Sequence, residues 1–129
     1  MKPKLLSLCE IADAGALARI EALFDVTVAK ITDEAELAAA LPGYEALIVP
    51  FTASMLVSER VIDAAPGLKL IASSYGGTRQ NIADVYALEK GITVIHTGAS
   101  RERPMAEYTL ALVLSSLLRI NCYHADMTL

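Results

Sequence analysis

The sequence predicts an α/β fold on a parallel sheet, and three observations carry that expectation. Short apolar or β-branched runs alternate with helix-patterned stretches from the N-terminus to about residue 95. The stretches between consecutive runs fit helical crossovers, which parallel pairing requires. The chain is 54% hydrophobic over 129 residues, enough for one real core and too apolar for a solvated, disordered chain.

Taken in order, Lys4–Cys9 is the first apolar run, and Ala14–Phe24 sets Leu17, Ile20 and Phe24 on one helical face. Val26–Ile31 is β-branched. Asp33 suits the N-cap of a helix over Asp33–Leu41, which Pro42-Gly43 stops. Ala46–Val49 reads as a buried strand, and Ser58–Ala64 as a short helix punctuated by Pro66-Gly67. Leu68–Ala72 is the fourth strand. Asn81 is placed as the cap of a helix Ile82–Lys90 that Gly91 closes at C′, and Ile92–Ile95 is the fifth strand. A parallel sheet of this kind is expected to be covered on both faces. Its ligands sit beyond the carboxyl ends of the strands. Three segments fall there: Pro50-Phe51-Thr52, the double glycine Gly76-Gly77, and His96-Thr97-Gly98.

Beyond this, Pro104 suits the first turn of a helix. The residues after it, MAEYTLALVLSSLLRI from Met105 to Ile120, hold apolar side chains in nearly every direction. A helix apolar on all sides must be covered on all sides. The 104–120 helix therefore expects a second domain or another chain, and a homo-oligomer built through it is the expectation. The chain reads as the front part of something longer, or as the partner of something else.

Composition excludes several classes. Net charge is −4, from 11 basic and 15 acidic residues, and Arg101 and Arg103 merely flank Glu102, so no nucleic acid is expected. Two distant cysteines, Cys9 and Cys122, make no metal cluster, and read as reduced thiols they assign the chain to the cytoplasm. Leu5–Cys9 is too short for a signal-peptide core, and no run reaches the about 18–20 apolar residues of a membrane span. Ser73, Ser74, Ser115 and Ser116 lack a Gly-x-Ser-x-Gly setting, and no Gly-x-Gly-x-x-Gly turn occurs. A receiver-type reading fails because Pro50, not Asp, ends the third strand.

The ordered series Gly76-Gly77, Asn81-Ile82, Gly91-Ile92 with Val94, Thr97-Gly98, Ala106-Glu107 and Leu110 to Arg119 resembles the D-isomer-specific 2-hydroxyacid dehydrogenases, over about residues 45–120. The resemblance implies a flavodoxin-like, five-stranded substrate-binding domain over residues 1–100. Residues 101–129 would then supply a loop and a long apolar crossing helix. A Rossmann domain binding NAD or NADP, absent from this sequence, would follow. It also implies that the backbone N–H groups of the glycine loop face the carboxylate of a small 2-hydroxy or 2-oxo acid. The substrate positions are then Tyr75, Gly76, Gly77 and Thr78, with Arg101 as a further anion contact. Met105 stands where the family faces the nicotinamide ring. Thr78 and Gln80 depart from the family's usual Gly and Asp, and Pro50 replaces a frequent Arg. Phe51 and Tyr75 are placed to line an apolar pocket or to pack. No residue here is assigned a catalytic role, His96 included, since the family's catalytic trio lies in the second half. The expected function is the substrate-binding portion of such an oxidoreductase, inactive alone and binding no cofactor tightly. The other reading is a stand-alone flavodoxin-like module that docks a partner through its C-terminal helix.

Overall fold

Five four-residue strands, β1 (Lys4–Ser7), β2 (Asp25–Val28), β3 (Ala46–Val49), β4 (Leu70–Ser73) and β5 (Thr93–His96), pair in parallel in the order β2-β1-β3-β4-β5. This is the flavodoxin-like order. The chain moves one way from β1 to β2 and the other way from β2 onward. Right-handed crossovers therefore put α1 (Ala14–Leu23) on one face and α2 (Glu34–Ala40), α3 (Glu59–Ala64) and α4 (Asp84–Glu89) on the other. The computed structural model describes residues 1–127. It forms two compact units, Met1–Thr97 and the segment from Gly98 onward.

The core of the first unit lies on the three-helix face. Leu6, Leu47 and Ile71 stand in register across β1, β3 and β4, and pack with Leu37 of α2, Val61 and Ile62 of α3 and Ala87 of α4. The opposite face is covered unequally. Leu5 and Ala46 are buried there, but α1 contributes no buried residue, and the register row Ser7, Ile48, Ala72, Ile95 ends on an Ile95 that is 49% exposed. The expectation of two covered faces is thus met on one side only within this unit. Leu17 and Ile20 of α1 are only half-buried, and Phe24, expected on their helical face, instead caps α1 in an extended conformation.

Local chemistry sets the element ends. Asp33 accepts from the N–H groups of Ala35 and Glu36 (2.9 and 3.0 Å), as its position suggested. Asp13 does the same for α1 at Ala16, and Ser58 for α3 at Val61. The Ser58 hydroxyl also donates to Glu34 (2.6 Å), tying α3 to α2. Gly91 takes φ +80, and the N–H groups of Gly91 and Ile92 bond Leu88 and Ala87, a Schellman closure only glycine adopts easily. Asn81 is not a helix cap: α4 begins at Asp84 after Ala83, and Asn81 is buried three residues earlier.

In the second unit a 3₁₀ turn (Gly98–Arg101) leads into α5 (Glu102–Leu117). Pro104 sits in the first turn, where its missing N–H costs nothing. The expected single long apolar helix over 104–120 is not found. α5 closes at Leu118, Arg119 adopts φ +52, and a further helix, α6 (Ile120–Met127), follows where no terminal element was expected. The left-handed residue ends the α5 hydrogen-bond ladder, and Arg119 then accepts from Cys122 and Tyr123 to start the next. Among the described residues no helix is long and apolar enough to cross a membrane.

On the surface between α3 and α4, the Tyr86 hydroxyl donates to both Asp63 oxygens (2.9 and 3.0 Å) and Lys90 Nζ lies 3.0 Å from Asp63. The hydrogen bond from Lys90, then that from Tyr86, holds the Asp63 carboxyl below its ordinary 3.8. Hydrogen bonding with Tyr86 and then Asp63 holds Lys90 above its ordinary 10.5. A lowered carboxyl stabilises the fold above its unfolded value and loses that support as pH falls through the folded one. A raised ammonium stabilises below its unfolded value and loses that support as pH rises through the folded one. The network therefore holds across the neutral range. Carbon-detected NMR titration is expected to place the Asp63 midpoint below 3.8, and below that of the Lys90→Met variant; equal midpoints would contradict this.

Candidate functional site

Parallel pairing brings the ends of β3, β4 and β5 to one edge of the sheet, and the loop after β4 is anchored at both ends. At its start, Ser74 N–H donates to Val49 O (2.9 Å), and Tyr75 N–H to Ser73 Oγ (3.3 Å). From β5, the Thr97 hydroxyl donates to Ser74 O (3.2 Å) and the Thr97 N–H to Tyr75 O (3.4 Å). At the far end, Thr78 O accepts from Asn81 and Ile82 N–H (3.1 and 2.9 Å). The Thr78 hydroxyl donates to Asp84 Oδ2 (2.7 Å), and Arg79 Nε lies 4.0 Å from the same oxygen.

Between these anchors stand Gly76, Gly77 and Thr78. Their N–H groups donate to no group among the described residues. Gly77 lies outside the left-handed region, and a Cβ built on it would meet nothing within 4 Å. Neither backbone conformation nor packing within the chain requires glycine at 77. Three successive amides without an acceptor among the described residues, on a small-residue loop, are a set of donors an anion can use.

Asn81 joins this loop to the one leaving β3. It is 0% exposed, and its Nδ2 donates to Pro50 O (2.9 Å) while its own carbonyl accepts from Leu56 and Val57 N–H (3.1 and 2.9 Å). Its Oδ1 is buried and has no hydrogen-bond partner among the described residues. Val57 in turn bridges Ile82 and accepts from Ala83 N–H (2.9 Å). Fixed in this way, Phe51 and Tyr75 lie with ring centroids 4.4 Å apart.

Of the residues singled out from sequence, Tyr75, Gly76, Gly77 and Thr78 form this loop. Arg101 and Met105 belong to the second unit, Arg101 at the end of the 3₁₀ turn and Met105 one turn into α5, both exposed. His96 ends β5, in register with Ser73. Cys9 and Cys122 are free thiols, and among the described residues no three His, Cys, Asp or Glu side chains gather as a metal set. Sequence reasoning missed Asn81 as a tie, Asp84 as the acceptor for Thr78, and Arg79 beside it. The visible signal was the polar run Thr78-Arg79-Gln80-Asn81 directly after the glycines.

Replacing Asn81 by Ala removes the donor to Pro50 and strands that carbonyl. Chemical denaturation is expected to show a loss of about 1–3 kcal/mol, and an unchanged stability would remove the tie from this account.

No curated protein matches the chain. Solved structures do. The PH0520 protein of Pyrococcus horikoshii OT3 is 25% identical with a TM-score of 0.82, over 98% of this chain and 36% of its own. A Polaromonas sp. protein assigned as an NAD-binding D-isomer specific 2-hydroxyacid dehydrogenase is 27% identical, TM-score 0.69, over 89% of this chain and 36% of its own. The NADPH-dependent glyoxylate/hydroxypyruvate reductase of Sinorhizobium meliloti, in complex with NADP and malonate, shares the fold at 22% identity and TM-score 0.67, over 89% of this chain and 34% of its own. The chain thus spans little more than a third of the length of these structures. The family described as D-isomer specific 2-hydroxyacid dehydrogenase, catalytic domain, matches residues 6–124, and the chain belongs to it.

Proposed function

We propose that this chain is the substrate-binding portion of an NAD(P)-dependent D-2-hydroxyacid dehydrogenase, and that the amides of Gly76, Gly77 and Thr78 hold the carboxylate of a 2-hydroxy or 2-oxo acid. The observation that carries this is the run of three N–H groups without an acceptor among the described residues, at a glycine whose added Cβ would meet nothing within 4 Å. Main-chain dipoles bind an anion without a charged side chain, and small residues let it approach. Tyr75 borders the bound acid. Arg101 offers a further charged donor to a second acidic group. Met105 would face a nicotinamide held by a separate nucleotide-binding domain, and that cofactor would supply the hydride exchanged with C2 of the acid.

In this reading residues 1–100 are the substrate domain, and residues 101–129 lead toward a separate nucleotide-binding domain. The chain alone is inactive and holds no cofactor tightly. The free thiols fit a cytoplasmic setting.

An NMR titration tests the wall directly. Pyruvate is expected to shift the Gly76, Gly77 and Thr78 amides. Gly77→Ala, whose methyl enters space the ligand needs, is expected to weaken that binding about tenfold. The same change should leave stability equal or higher by roughly 0.4–1 kcal/mol. Loss of stability with unchanged binding would reverse the reading. The same sample given NADH and pyruvate is expected to leave NADH absorbance at background, and turnover would refute the inactivity.

One observation favours the second reading, a module that docks through the apolar helix after its sheet. Leu110, Leu112, Val113, Leu114 and Leu117 of α5 are all exposed. Covering each such side chain is worth about 1.5–3 kcal/mol. We therefore propose a homo-oligomer through the 104–120 segment. Sedimentation at tens of micromolar is expected to show a dimer or larger species, and a monodisperse monomer would refute it.

A further inference from the structure

Resting on the carboxylate wall just described, we infer that Phe51 and Tyr75 form an aromatic seat for the C2 substituent of the substrate. The site then takes 2-oxo or 2-hydroxy acids with an aromatic or branched apolar side chain in preference to pyruvate or glyoxylate. The two rings stand on loops leaving adjacent strands, β3 and β4, with centroids 4.4 Å apart and planes tilted by 41°. The two rings are in direct, tilted aromatic contact. Phe51 is nevertheless 46% exposed and Tyr75 39%. Each backbone is held from below: Asn81 grips the Pro50 carbonyl beside Phe51, while Ser73 and Thr97 hold the main chain of Tyr75.

The fully buried core of this unit is built from aliphatic side chains. This exposed aromatic pair therefore lies outside it, at the edge where sheets of this order bind ligands. Residues 50–57 and 73–78 carry no charged side chain, so an apolar group entering between these loops displaces no ion. Tyr75 directly precedes Gly76, with Cα atoms about 3.8 Å apart. A carboxylate on the Gly76–Thr78 amides has C2 as its immediate neighbour, and the substituent on C2 begins one bond farther on. The short reach from amides to rings fits an acid whose polar head and apolar tail part at that carbon.

The test compares pyruvate, 4-methyl-2-oxopentanoate and phenylpyruvate by amide-resolved NMR titration of the 129-residue chain. Phenylpyruvate is expected to bind about tenfold more tightly than pyruvate, with 4-methyl-2-oxopentanoate between them. All three should shift the Gly76–Thr78 amides. In Phe51→Leu, and more strongly in Phe51→Ala and Tyr75→Ala, the ratio of phenylpyruvate to pyruvate affinity is expected to fall toward one. Both side chains are substantially exposed, so these variants keep the core intact. If pyruvate shifts the glycine amides but the aromatic acid gains nothing, or the variants keep the gain, the seat is refuted and the wall stands. A gain whose shifts are confined to Glu102–Leu117 refutes the seat as well. If no acid shifts the glycine amides, the wall fails and the seat with it.

Discussion

The hydrogen bond from the buried amide of Asn81 to the Pro50 carbonyl is the constraint on which the candidate site depends. Strands of four residues give little length over which to define the direction of the loops that leave them. The ends of β3 and β4 are aligned by the ladder, but a loop one residue beyond a strand is free to diverge. Asn81 removes that freedom from three places at once. Its side chain takes the exit of β3, its carbonyl takes the N–H groups of Leu56 and Val57, and its own N–H returns to Thr78. A buried side-chain amide is expensive unless its bonds are made. The Oδ1 of Asn81 has no partner among the described residues, so the burial of this side chain is offset by the bond to Pro50 and not by full pairing.

Sheet topology explains why this edge carries the chemistry. All five strands run the same way, so every carboxyl end opens on one side. The helices between β2 and β5 stack on one face and build the aliphatic core there. Over residues 50–57 and 73–78 the loops leaving β3 and β4 carry small, apolar or uncharged polar side chains. The unequal cover of the second face follows from the same order. A single crossover, β1 to β2, turns back on that side, and one helix does not span a sheet five strands wide.

Much of this was legible in the sequence. The strand–helix rhythm, Asp33 as a cap, Ala46–Val49 as a strand and Gly91 as a helix closure follow from side-chain and backbone preferences that act within a few residues. The glycine loop was legible because two adjacent glycines after an apolar strand are unusual. What escaped depends on partners distant in the chain or on conformations without a compositional mark. Asn81 looks like a cap until Pro50, 31 residues away, is seen to be its partner. Asp84 reads as one residue within a helix Ile82–Lys90, and nothing in the sequence marks it as the acceptor of the Thr78 hydroxyl. The break at Arg119 has neither Gly nor Pro to announce it, so an apolar pattern running from Met105 to Ile120 read as one helix.

The Thr78–Asp84 bond has a consequence for how the site would respond to acidity. With its hydroxyl donating to Asp84, Thr78 offers an incoming acid its main-chain amide, alongside those of Gly76 and Gly77. Amides do not titrate in water, so a carboxylate seated there would be held equally well across the neutral range. The wall would thus act as a fixed electrical reference against which an acid is located. Any proton that chemistry at C2 must gain or lose would have to come from a different group.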